Sequence, residues 1–140
     1  MSLTKTKQPF LALSKICLNN WHYIDQKILS FNDGINFFTG HSGSGKSTVI
    51  DAMQIVLYAN TDGRGFFNKA AADDSDRNLI EYLRGMVAVG EKDEVTYLRN
   101  KNFSTTIVLE FTQTESDEKE CLGVVFDVDT DYFSGTKAAF

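Results

Sequence analysis

A lysine followed by two hydroxyl residues, Lys46-Ser47-Thr48, stands directly behind the run Gly40-His41-Ser42-Gly43-Ser44-Gly45. Residues of these types in this order suit the binding of phosphate. Glycines let the backbone come close to an anion, and successive N–H groups can then turn inward on it. A helix starting near Gly45 adds the partial positive charge of its N-terminus. Gly40 to Ser47 satisfies GxxxxGK[ST] at every fixed position. In such a loop Lys46 reaches the β and γ phosphates, Ser47 gives its hydroxyl to Mg²⁺, and Thr48 adds a contact through its backbone or hydroxyl. The expected cofactors are ATP and Mg²⁺. The expected contacts are Gly40, His41, Ser42, Gly43, Ser44, Gly45, Lys46, Ser47 and Thr48, with Lys46 as the catalytic cation.

Binding is not hydrolysis, which needs a second carboxylate at the metal and a group that positions water. The apolar run Leu122 to Asp127 has the outline of a strand carrying that carboxylate. Residue 128, however, is Val, and Val124, Phe126 and Val128 alternate as they do on a half-exposed antiparallel strand. A structural role for Asp127 is the favoured reading. Two guanine-nucleotide signals also fail: Asn68-Lys69-Ala70-Ala71 lacks the Asp of NKxD, and Asp62-Gly63-Arg64-Gly65 follows a helix pattern rather than a strand.

The loop needs a strand before it and a helix after it. Leu11, Leu13, Ile16 and Leu18 alternate with polar residues, predicting a strand that ends at Trp21. Asn32-Asp33-Gly34 is turn chemistry and predicts a hairpin whose second arm, Ile35 to Thr39, is a short buried central strand. Beyond the loop, Val49, Ala52, Met53 and Val56 recur at helical spacing, and Ile50 and Leu57 widen the stripe into a largely buried helix. A second helix is predicted in residues 75–86, with Ser75 as N-cap and Gly85 as terminator. The last third turns to β-branched and aromatic runs in residues 94–100, 104–114 and 120–133, with Asn100-Lys101-Asn102 and the acidic stretch Glu115 to Glu120 as solvated connections. The fold class expected is α/β, a P-loop NTPase core with an antiparallel β-meander subdomain.

Composition sets the frame. With 42% hydrophobic and 24% charged residues in 140, the chain has the makeup of one globular domain. The polar start, residues 1–10, lacks the apolar core of a signal peptide and is expected to be a flexible tail. No apolar run reaches membrane-spanning length, and the expected location is cytoplasmic. A net charge of −5 argues against a dedicated nucleic-acid-binding domain without excluding a local basic patch. Arg64, Lys69, Arg77 and Arg84 form one loose basic group, read mainly as a solvated face. Cys17 and Cys121 are read as buried thiols of a reducing compartment. His22 and His41 have no second ligand near them in sequence, so no zinc site is expected.

In order, these features resemble the N-terminal part of an SMC-type ATPase head, an ABC-class group that includes condensins, cohesins and the SbcC and RecN-like repair proteins. The resemblance rests on the strand ending Asn19-Asn20-Trp21, the loop GHSGSGKST, and the helix carrying Asp51-Ala52-Met53. The stretch from Leu57 to Val87 looks closest to the Muk-type condensin and Wadjet (JetC) plasmid-defence branch. Ser42 stands where many SMC heads have Asn.

The resemblance implies that residues 11–140 are the Walker A half of a split head, truncated before a long coiled coil. The Walker B strand, signature motif and catalytic Glu would then come from a C-terminal segment. It implies ATP hydrolysis by the full-length protein, with this part alone inactive. Implied partners are the C-terminal half of the same head, a second head across the ATP, DNA and non-SMC subunits. Trp21 fits both a nucleotide-flanking place, with Asn19 and Asn20, and a core anchor. Gln113 and Gln54 read as solvent or packing residues rather than as the family's glutamine loop. An ABC-transporter subunit and a self-contained P-loop small-molecule kinase are the alternatives.

Overall fold

The computed structural model describes residues 9–41, 45–58, 79–89 and 95–134. Its centre is a four-stranded antiparallel sheet made of β1 (Leu11–Trp21), β2 (Ile24–Ser30), β5 (Phe103–Gln113) and β6 (Lys119–Val128), in the order β2-β1-β5-β6. Helix α1 (Lys46–Tyr58) lies on one face, joined by the short helix α2 (Leu79–Arg84). A two-stranded ribbon follows, β3 (Met86–Val89) with β4 (Val95–Tyr97), and a 3₁₀ turn, Thr130–Ser134, ends the described chain.

β1 explains its own sequence. Its apolar residues fall at odd positions, Leu11 and Leu13, and then at even ones, Ile16 and Leu18. The change of phase is a register irregularity against β5 between Leu13 and Lys15. Ser14 sits in it, donating its hydroxyl to the Glu110 carbonyl at 3.0 Å and accepting from Thr112 Oγ1 at 2.8 Å. Below the irregularity Ile16 and Leu18 face inward opposite Leu109 and Ile107, and all four are fully buried. They pack with Phe126 and Val128 of β6, with Val49, Ala52, Ile55 and Val56 of α1, and with Leu79, Ile80, Tyr82 and Leu83 of α2. Each such aliphatic side chain taken from water contributes about 1.5–3 kcal/mol before chain entropy is set against it.

The expected hairpin at Asn32-Asp33-Gly34 is not the one formed. The chain reverses two residues after β1 begins to end, with Trp21 opposite Ile24 and His22-Tyr23 as the link. His22 takes the positive φ of 51° that such a tight link needs. Residues 31–40 form no strand, and Ile35 and Phe37 are 76% and 83% exposed. Two physical reasons apply. The Asn36 side-chain amide takes both the N–H of Asn32, at 2.7 Å, and its carbonyl, at 3.1 Å, where a partner strand would otherwise bond. A buried central strand also needs a neighbour on each side, and no described strand flanks residues 35–39.

Four further expectations change. α1 is buried along one face only: Ile50, Leu57 and Tyr58 are exposed. Cys17 is half-buried and Cys121 exposed, both free, because they stand on the sheet face turned away from α1 and on its edge strand. All described strand pairs are antiparallel, and the expected meander of the last third forms only as the β5–β6 pair: β4 joins β3 in a separate ribbon, and β5 pairs with β1 instead. The predicted strand of residues 120–133 stops at Val128, where Asn102 Oδ1 accepts from the Thr130 N–H at 2.9 Å and opens the 3₁₀ turn. Gly85 ends α2 as expected, with φ 70° and its N–H on the carbonyls of Glu81 and Tyr82. Ser75 and the tail at residues 1–8 lie outside the described residues.

Candidate phosphate-binding site

Of the nine expected contacts, Gly40, His41, Gly45, Lys46, Ser47 and Thr48 are described; Ser42, Gly43 and Ser44 lie outside. Gly45 has φ 94°, a backbone setting that strains any residue with a Cβ. No atom within 4 Å would meet an added Cβ there, so the requirement is on the backbone rather than on space. α1 begins at the next residue, and the Val49 N–H bonds the Gly45 carbonyl at 3.2 Å, the first rung of the helix. The amides preceding that rung have no partner within the helix. No acidic residue stands in the first turn, so the positive end of the helix is not offset from within.

Lys46 closes the loop. Its ammonium donates to the carbonyls of Gly40 and, at 3.1 Å, of His41. The cation thus sits between the first residues of the loop and the start of α1. Ser47 is exposed on the first turn and leaves its hydroxyl accessible.

What aims α1 comes from the sheet. Trp21, fully buried, donates its indole N–H to the Thr48 carbonyl at 2.8 Å. That places Trp21 in the core, holding the helix. Asp51, 5% exposed, accepts from the Tyr82 hydroxyl at 3.1 Å. Asn20 is committed elsewhere: its amide donates to the Ser104 carbonyl at 3.0 Å, its carbonyl accepts from Thr105 Oγ1 at 2.7 Å, and its φ is 51°. Asn19 pairs with Gln26 on one side and Thr106 on the other.

The remaining candidates are placed away from the loop chemistry. Asp127 is exposed on edge strand β6 and accepts from the Ser104 hydroxyl across the β5–β6 pair. Among the described residues no three His, Cys, Asp or Glu side chains come together as a metal set. Gln113 closes the turn after β5, its Oε1 accepting from the N–H of Glu115 and of Ser116 at 3.3 and 3.2 Å. Arg84 lies between the rings of Tyr97 and Phe133, 3.8 Å from each centroid. Burial pulls its pKa below the ordinary arginine value, against the opposing pull of Tyr97 and Glu81. It is a packing residue and not a free surface cation. Arg64, Lys69 and Arg77 lie outside the described residues, as do Asn68-Ala71 and Asp62-Gly65.

Sequence reasoning missed Arg99. Its guanidinium donates to the carbonyls of His22 at 2.6 Å, Leu83 at 2.7 Å and Ile24 at 3.2 Å. It joins the β1–β2 link to the C-terminal end of α2. No local spacing marks such a residue; its partners are distant in sequence.

A family described as the P-loop containing region of AAA domain matches residues 13–74. The match runs from β1 through the glycine loop and α1, and leaves β5 and β6 outside. No curated protein matches the chain. Among the described residues no helix is long and apolar enough to cross a membrane. The match supports one coarse statement: residues 13–74 are similar to a P-loop region of the AAA type, which points to nucleotide binding.

Proposed function

We propose that this chain is the N-terminal, Walker A half of an SMC-like ATPase head that binds ATP·Mg²⁺ through Gly40 to Thr48. In this reading Lys46 is the catalytic cation on the β and γ phosphates, and the amides from Ser42 to Ser47 line the phosphate chain. Mg²⁺, when bound, neutralises phosphate charge, and Ser47 is the hydroxyl positioned for it. A magnesium ion that keeps most of its ligands as phosphate oxygens and water requires no larger protein cage. The observation that carries the reading is Lys46 folded onto the carbonyls of Gly40 and His41 at the uncompensated start of α1.

The exposed apolar side chains of Ile35, Phe37 and Phe38, immediately before the loop, support the second part. Their run has the makeup of a central strand and the exposure of an edge awaiting its neighbours. The C-terminal half of the same head is the proposed neighbour, bringing the Walker B strand, signature motif and catalytic Glu. A second head across the ATP, DNA, non-SMC subunits and a cytoplasmic setting complete the proposal. Nothing in the structure favours the transporter-subunit or kinase alternatives, and exposed Asp127 on an antiparallel edge strand weakens the latter.

The test is a titration of Mg·ATP into the 140-residue chain, followed by ³¹P NMR, which reads weak binding. Wild type is expected to bind weakly, and Lys46→Ala at least about tenfold more weakly, the loss of one charge-assisted contact. Equal behaviour of the two would remove the phosphate-site reading. Steady ATP turnover by the chain alone, lost in Lys46→Ala, would instead overturn the split catalytic site.

A further inference from the structure

A phosphate loop has to be aimed as well as built. The inward direction of its amides depends on how the following helix is set against the sheet. Here α1 is held at two points. The Trp21 indole N–H donates to the Thr48 carbonyl at 2.8 Å, and the Tyr82 hydroxyl donates to Asp51 Oδ2 at 3.1 Å. Thr48 and Asp51 are three residues apart, so both holds act on one helix face. The side chains that make them are buried: Trp21, Tyr82 and Asp51 are 0%, 5% and 5% exposed. They also touch each other, the Trp21 and Tyr82 rings lying 5.0 Å apart at 55°. Tyr82 is stacked in turn on His22, 4.1 Å away and 11° from parallel, with Gly85 pressed against the His22 carbonyl behind it.

Core packing needs only the rings. A donor on each ring, directed at the first and second turns of the helix that follows Lys46 and Ser47, goes beyond packing. The indole bond leaves the helix intact, because the Thr48 carbonyl has a second lone pair for its helical donor. Losing either bond removes one of these holds on α1.

The geometry points to Trp21 and Tyr82 as positioning residues for the phosphate loop: through Thr48 and Asp51 they fix the direction of the Gly45, Lys46 and Ser47 amides. This rests on the reading of Gly40 to Thr48 as a triphosphate site. Trp21→Phe and Tyr82→Phe keep an aromatic ring and remove the donor. Each variant is titrated with Mg·ATP by ³¹P NMR at a temperature where circular dichroism shows it fully folded. The dissociation constant is expected to rise roughly three- to tenfold in either, on the order of one hydrogen bond. Trp21 is the only tryptophan, so its emission is expected to shift on Mg·ATP titration of the wild type, and less in Tyr82→Phe.

A purely structural role lowers the melting temperature and leaves the dissociation constant of the folded protein unchanged. Unchanged affinity in both folded variants, with Lys46-dependent binding intact in the wild type, overturns the positioning role alone. Absence of any Lys46-dependent binding in the wild type removes the triphosphate reading and the positioning role with it.

Discussion

Arg99 carries more of the described structure than its sequence neighbourhood suggests. Its side chain is 9% exposed, and its guanidinium serves carbonyls from the β1–β2 link and from α2. Burial lowers its pKa from the ordinary value, with Asp25 pulling the other way. Asp25 contributes little: its side chain is 92% exposed and 3.5 Å away, and such a pair is largely screened. The carbonyls are the reason for the charge. Arg99→Met removes the donors and leaves the carbonyls short of partners, an expected loss of about 2–4 kcal/mol. Arg99→Lys should recover part of it, since an ammonium lacks the planar fork that reaches several acceptors. Asp25→Ala should change stability by less than about 0.5 kcal/mol. Urea midpoints at constant slope check all three. A large effect of Asp25→Ala with a small one of Arg99→Met would show that the ion pair, and not the carbonyls, holds the link.

At the level of elements, α2 and the β1–β2 link are pressed together at Gly85. A Cβ added there would stand 2.8 Å from the His22 carbonyl oxygen and 3.1 Å from Leu98 Cδ1. The φ of 70° is strained for any L residue. Gly85→Ala is therefore expected to cost about 2–4 kcal/mol, the left-handed penalty plus a backbone clash. Gly34→Ala, with nothing within 4 Å, should stay within about 0.5 kcal/mol. Thermal denaturation of both separates a crowded glycine from a merely convenient one. The role of Gly85 as a helix terminator is readable from the sequence because a stop signal is local. The same holds for β5 and α1, each written in its own periodicity. The hairpin was misread at Asn32-Asp33-Gly34 because turn chemistry there is spent on an Asn36 amide, while His22-Tyr23 reverses the chain without any turn residue. Tertiary contacts from Arg99 and Tyr82 hold that reversal, and no local pattern announces them.

At the scale of the whole molecule the P-loop pattern of Gly40 to Ser47 is legible in the sequence, since phosphate binding demands fixed types at fixed spacing. The sheet that should flank it is not, because strand pairing depends on what lies alongside. Ile35 and Phe37 show the difference. Their apolar run predicts a buried strand, yet they are 76% and 83% exposed beside the loop. If the proposed C-terminal half supplies the neighbours, these side chains belong to an interface rather than to this chain's own core. Phe37→Ser then has two separable effects. Stability of the 140-residue chain should move by less than about 0.5 kcal/mol, because little apolar area is buried to begin with. Association with the segment carrying the Walker B strand, added in trans, should weaken about tenfold or more, the worth of burying one phenyl ring. Urea unfolding reads the first, and titration calorimetry with the added segment the second. A loss of several kcal/mol in the isolated chain would put Phe37 in its own core. Unaltered association would place the joint between the two halves away from Ile35 to Phe38, and the phosphate loop would then have to be completed from another side.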